Sequence, residues 1–77
     1  MQIRIVLYSL LRYKLAKETK GRLTLDMPEN SSIQDVLDYL MIDPPINISI
    51  NNQIIENYDN PLAVDCEIHL FRPTGGG

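Results

Sequence analysis

Asn30-Ser31-Ser32-Ile33-Gln34-Asp35-Val36-Leu37-Asp38-Tyr39-Leu40-Met41-Ile42-Asp43-Pro44-Pro45 is the stretch that decides the fold, because it holds the chain's clearest amphipathic helix. Ser32 can cap free amides at its start, and Asp35 favours the positive N-terminal end. Ile33, Val36, Leu37, Leu40 and Met41 recur at i, i+3, i+4, i+7 and i+8, which makes one apolar stripe for a core. Asp35, Asp38 and Tyr39 lie off it. Asp43-Pro44-Pro45 ends the helix, since proline lacks the amide and biases its predecessor to extended geometry. The stripe and the methionines are expected in the core.

Outward from the helix the pattern changes to a period of two, the mark of strands. Upstream, Ile3, Ile5 and Leu7 alternate with Arg4, Val6 and Tyr8 within a segment read as Met1 to Leu11. A polar loop from Lys14 to Gly21 leads to a second alternation, Leu23, Leu25 and Met27 against Arg22, Thr24 and Asp26, closed by Pro28. Downstream, Ile46, Ile48 and Ile50 alternate with Asn47, Ser49 and Asn51; Asn51-Asn52 suits a tight turn, and Gln53-Ile54-Ile55 returns as a short strand. Cys66, Ile68 and Leu70 alternate with Glu67, His69 and Phe71 in a last strand ending at Pro73. A ferredoxin-like fold needs a second amphipathic helix, which residues 52 to 65 do not supply. The order predicts an α+β, two-layer β-grasp: a mixed sheet with one packed helix, its first and last strands adjacent and parallel at the centre.

Seventy-seven residues, 44% hydrophobic and 22% charged, suit one small globular domain. It is expected over residues 1–73, followed by a flexible glycine tail at 74–77. The most apolar run, Ile5 to Leu11, is far short of the roughly 20 residues that cross a bilayer. No membrane partner and no signal peptide are expected, and a lone Cys66 in that context favours a reducing cytoplasm. One Cys and one His cannot fill a tetrahedral metal site, so no metal is expected. Residues 1 to 22 carry +5 and residues 23 to 77 carry −8, giving the net −3. The basic end lacks the aromatic interleaving of a nucleic-acid surface, so no nucleic acid is expected. The acidic remainder could dock on a basic enzyme.

Catalytic constellations are absent from the sequence. Cys66 and His69, three apart on a strand, fall on opposite faces and cannot act as nucleophile and base by local geometry. Cys66 reads as a small buried hydrophobe. Asp35 and Asp38 share a helix face but read as solvated. What stands out is the ending, Phe71-Arg72-Pro73-Thr74-Gly75-Gly76-Gly77. Glycines without side chains can thread a narrow channel in a partner and present a carboxylate where any side chain would clash.

Pro73-Thr74-Gly75-Gly76-Gly77 resembles the P-x-x-G-G ending of the MoaD/ThiS-type ubiquitin-like sulfur-carrier family. That family contains the small subunit of molybdopterin synthase and the thiamine-biosynthesis sulfur carrier. Cys66-Glu67-Ile68 resembles the family's D-E-V before its last strand. Leu7-Tyr8-Ser9-Leu10-Leu11-Arg12 is similar to its aromatic-x-S-L-R segment, with one extra Leu, and Ser32-Ile33-Gln34-Asp35-Val36-Leu37 to its T/S-V-x-D-L-L helix start. Asp65-Cys66 in place of Gly-Asp, and Asn51-Asn52 in place of Asn-Gly, alter turns and not the tail.

The resemblance implies a carrier with no bound cofactor, not an enzyme in itself. A ubiquitin-activating-type adenylating enzyme uses ATP to convert the Gly77 carboxylate to an acyl-adenylate. Sulfur from a donor then displaces AMP to leave a thiocarboxylate. Thr74, Gly75 and Gly76 would thread the partner's channel. The acceptor would be a large synthase subunit, with molybdopterin the favoured product over thiamine or thiolated tRNA. Conjugation of Gly77 to target-protein lysines, as in ubiquitin-like modifiers, is the alternative. Partner binding is expected on the sheet face away from the helix, at Val6, Tyr8, His69, Phe71 and Arg72, unless the Lys14 to Gly21 loop folds over it.

Overall fold

The computed structural model describes residues 1–73. Its elements are β1 (Gln2–Leu7), β2 (Arg22–Asp26), α1 (Ile33–Leu40), β3 (Asn47–Ile50), β4 (Gln53–Ile55) and β5 (Glu67–Phe71). The strands form one mixed sheet in the order β2-β1-β5-β3-β4. β1 and β5 are parallel neighbours at its centre, and every other pairing is antiparallel. This is the β-grasp arrangement that the element order predicts.

The inward residues of the alternating strands meet the helix stripe. Ile3, Ile5 and Leu7 from β1, Ile48 from β3, and Ile68 and Leu70 from β5 are buried with Ile33, Val36 and Leu37 from α1. Each such side chain stabilises the fold by about 1.5–3 kcal/mol relative to leaving it exposed, so these nine positions dominate. The helix opens with a reciprocal capping box. The Asp35 amide donates to Ser32 Oγ at 3.3 Å, and the Ser32 amide donates to Asp35 Oδ2 at 2.9 Å.

Met41 corrects one expectation. It adopts a left-handed conformation (φ 58°) just past the helix and stands 79% exposed. The Met41 amide donates to the Asp38 carbonyl and the Ile42 amide to Leu37, a Schellman closure. That turn swings the chain so that Ile42, not Met41, enters the core.

A second correction falls on the first strand, which stops at Leu7. Ser9 takes φ 51°, and a 3-10 turn over Ser9–Lys14 returns Leu11 to the core. Within the expected loop a further 3-10 turn covers Lys17–Thr19. Gly21 (φ +80°) then lets its carbonyl accept from the Leu7 amide at 2.7 Å; a Cβ there would lie 2.5 Å from the Leu7 oxygen. Asn51 and Asn52 both take positive φ in the two-residue turn between β3 and β4. Residues 56–65 stay irregular and are tied to the start of α1, where the Gln34 amide donates to Tyr58 and the Leu62 amide to Ser31.

Candidate docking face and tail exit

The parallel β1/β5 pair places the outward side chains of both strands side by side. Arg4 faces Glu67 and Val6 faces His69, while the Tyr8 amide continues the ladder to the Leu70 carbonyl at 3.1 Å. Tyr8 stacks on His69 with ring centroids 5.6 Å apart and meets Phe71 edge to face at 6.0 Å. Tyr8 is 41% exposed, Phe71 is half-buried, and Val6 lies buried beneath.

A polar row runs along the same face. The Tyr8 hydroxyl lies 2.5 Å from His69 Nδ1, and His69 Nε2 lies 2.7 Å from Glu67 Oε1. A neutral imidazole with its proton on Nε2 satisfies both, accepting from Tyr8 and donating to Glu67. Arg4 Nε reaches the other Glu67 oxygen at 3.5 Å, and an Arg4 guanidinium nitrogen donates to the Asp65 carbonyl at 3.2 Å. The hydrogen bond from His69, and after it Arg4, holds the Glu67 carboxyl below its ordinary range.

Ile54 belongs to this face, although the sequence reading left it out. β4 carries it opposite Ser49, which in turn faces His69, and it is 66% exposed. A hollow of about 520 Å³ has Tyr8, Ser49, Ile54, His69, Phe71 and Arg72 among its lining residues. The register gave the signal: a two-residue turn at Asn51-Asn52 sets Ile50 against Gln53, hence Ser49 against Ile54.

Arg72 lines the same hollow as the rings. Its Nη1 donates to the Asp43 carbonyl and, at 2.7 Å, to the Pro45 carbonyl. The base of the tail is thereby tied to the loop that follows α1. Lys14 Nζ donates to the Met41 carbonyl at 3.1 Å, so the β1–β2 connection turns toward the helix end and leaves Tyr8 uncovered. Thr74, Gly75, Gly76 and Gly77 lie outside the described residues.

The other candidates have structural roles. Cys66 is buried in the core beside β5, and burial pushes its thiol above the ordinary value, so it is a poor nucleophile. His69 stands on the opposite face. Asp35 closes the capping box and Asp38 accepts from Gln34 Nε2 at 2.9 Å. Among the described residues, no group of three or more His, Cys, Asp or Glu side chains is placed to hold a metal ion, and no helix is long and apolar enough to cross a membrane.

The ThiS family profile matches residues 13–77. Small archaeal modifier protein 1 from Haloferax volcanii shares the fold, with a TM-score of 0.76 at 18% identity and 100% of each chain covered. Its Methanosarcina acetivorans counterpart gives 0.73 at 21% identity, covering 99% of this chain and 96% of that one. A chain in the complex of subunits 1 and 2 of molybdopterin-converting factor from Helicobacter pylori gives 0.67 at 15% identity, with both chains fully covered. No curated protein matches the chain significantly. At these identities the structural likenesses establish the ubiquitin-like β-grasp and nothing finer.

Proposed function

Because this chain belongs to the ThiS family, we propose that it is a sulfur carrier whose reacting group is the C-terminal carboxylate of Gly77. The observation that carries the reading is the reach of the family match, which runs through Pro73-Thr74-Gly75-Gly76-Gly77 to residue 77. A carboxylate is a poor electrophile. Attack of a Gly77 oxygen on the α-phosphorus of ATP expels pyrophosphate and gives an acyl-adenylate. A hydrosulfide-level sulfur nucleophile then adds to the Gly77 carbonyl carbon, AMP leaves with the C–O electron pair, and a thiocarboxylate remains. The adenylating partner supplies the catalysis, and this chain supplies a docking face and a carbon to carry sulfur.

In this reading Tyr8, His69 and Phe71, over Val6, dock the partner. Arg72 steadies the tail base, and Thr74, Gly75 and Gly76 thread the channel. The acceptor is a synthase subunit, with molybdopterin the favoured product; the Helicobacter neighbour is described as part of molybdopterin-converting factor. A second reading, conjugation of Gly77 to lysines, draws support from the two neighbours described as small archaeal modifier proteins.

Intact-mass analysis of the protein purified from its native cells separates these readings. Replacement of one Gly77 oxygen by sulfur is the expected result. Glycine remnants on lysines of other proteins, with no sulfur-bearing form, would favour the modifier.

A further inference from the structure

The strongest charge feature lies outside the docking face. Arg12, Lys14, Lys17, Lys20 and Arg22 are all exposed, with Glu18 the only acid among them. None takes part in an ion pair among the described residues. Exposed Leu10 and Tyr13 accompany them, at 76% and 75%. Arg12, Tyr13, Leu15, Lys17, Lys20 and Gly21 line a hollow of about 510 Å³.

This segment is anchored. Leu11 is buried, Leu15 packs on the core, and Lys14 is bonded to the Met41 carbonyl. The Thr19 and Lys20 amides close turns onto Ala16 and Lys17, and Gly21 is held on the end of β1. The cations are therefore presented from fixed positions, which lowers the entropy lost on binding.

Their position also matters. β1 and β5 run parallel, so the segment leaving β1 at Tyr8 and the tail leaving β5 at Phe71 emerge at the same end of the sheet. Asp26, Asp65 and Glu67 lie toward the other end, where Gln2 faces Asp26 and Arg4 faces Glu67. The tail end also carries acids, Glu18 beside the basic segment, Asp43 after the helix and Glu56 level with Asn47 and Phe71, but they are outnumbered by Arg12, Lys14, Lys17, Lys20, Arg22 and Arg72. A chain of net charge −3 is thus electrically polarised, with its positive pole around the tail exit.

We propose that the basic segment from Arg12 to Arg22 is a second contact surface, which docks an acidic patch on the protein that activates Gly77 and orients the encounter tail first. The proposal rests on the sulfur-carrier reading for the partner's identity. Opposite potentials steer encounter and fix register. The occupant is a protein and not a nucleic acid, because three of the five cations, Arg12, Lys17 and Lys20, line one hollow walled by Tyr13, Leu15 and Ala16. Carboxylates interspersed with apolar side chains match that lining. A phosphate backbone needs a stripe of cations along its length.

The test measures association of the full chain with the adenylating enzyme of its source cells, at low and high salt. The Lys17→Glu/Lys20→Glu variant is compared with wild type and with Asp26→Lys at the far end. The double variant should associate about tenfold or more slowly at low salt, a gap that narrows at high salt. Asp26→Lys should associate at the wild-type rate or faster. Activation of Gly77 at saturating enzyme should match wild type in Asp26→Lys, and the thermal melt of the double variant should match wild type. If the double variant associates like wild type at both salts while Gly77 is activated, the surface is overturned and the carrier function stands. If an oligonucleotide binds wild type but not the double variant while enzyme association is unaltered, the basic segment serves nucleic acid and the proposal is wrong. A wild-type chain that is neither bound nor activated overturns both readings.

Discussion

Glu67 joins the two halves of the polar row, receiving His69 on one carboxylate oxygen and Arg4 on the other. Its folded pKa is depressed, so the stability it contributes is fully present above its unfolded value, near the ordinary 4.5, and is lost as pH falls through the lower folded value. Urea midpoints measured between pH ~6 and ~3 should therefore fall less steeply for Glu67→Gln than for wild type. Cys66 should behave in the opposite sense. Burial disfavours its thiolate, so alkylation at pH ~8 should proceed only as fast as the protein opens, and should become immediate in denaturant. On the docking face, Phe71→Ala or Tyr8→Ala should weaken binding to the adenylating enzyme by about 1–3 kcal/mol if these rings are anchors. Thermal melts should show little loss of fold stability, because both rings pack outside the core cluster. Wild-type affinity in both variants would leave the docking role without support.

At the scale of the elements, the helix was legible because its signals agree: cap, stripe and terminating prolines all fall within Ser32 to Pro45. The end of β1 was not. Ile5 to Leu11 reads as one apolar run, yet the backbone breaks at Ser9, where no residue type announces a positive φ. Leu11 ends that apolar run in the sequence and is buried in the structure as part of a 3-10 turn, so hydrophobicity alone could not tell strand from turn. Met41 was misplaced for a related reason. Helical periodicity carries it into the stripe, and the left-handed turn that removes it is a property of the helix end. Since its side chain is largely exposed and its φ suits glycine, Met41→Gly should raise stability by about 0.5 kcal/mol in chemical denaturation, the relief of left-handed strain exceeding the entropy cost of glycine.

For the whole molecule, the parallel centre follows from the order of elements, and with it the adjacency of Val6 to His69 and of Tyr8 to the end of β5. The juxtaposition of these side chains was therefore readable in outline. Arg72 was grouped with the partner-binding residues, and its bonds to Asp43 and Pro45 depend on how the post-helix loop returns beside β5, which no local pattern encodes. The basic segment was visible as charge, but its place at the tail exit came only with the sheet register. If the Gly77 carboxylate is the reacting group, adding one residue after it should abolish ATP-dependent adenylation and leave the melting temperature unchanged, because among the described residues the core cluster draws on none beyond Leu70. Normal activation of the extended chain, read by pyrophosphate release, would remove the tail from the mechanism.

The position of β5 has a mechanical consequence. A partner that draws the chain past Pro73 into a channel pulls along the axis of a strand hydrogen-bonded on both flanks, to β1 and to β3. Those bonds lie across the direction of pull, so they are loaded together in shear and cannot be unzipped one at a time. A tail leaving from an edge strand would peel its strand away from a single neighbour. Here traction on the tail is borne by the middle of the sheet, and the domain can be held under tension while its end is worked upon.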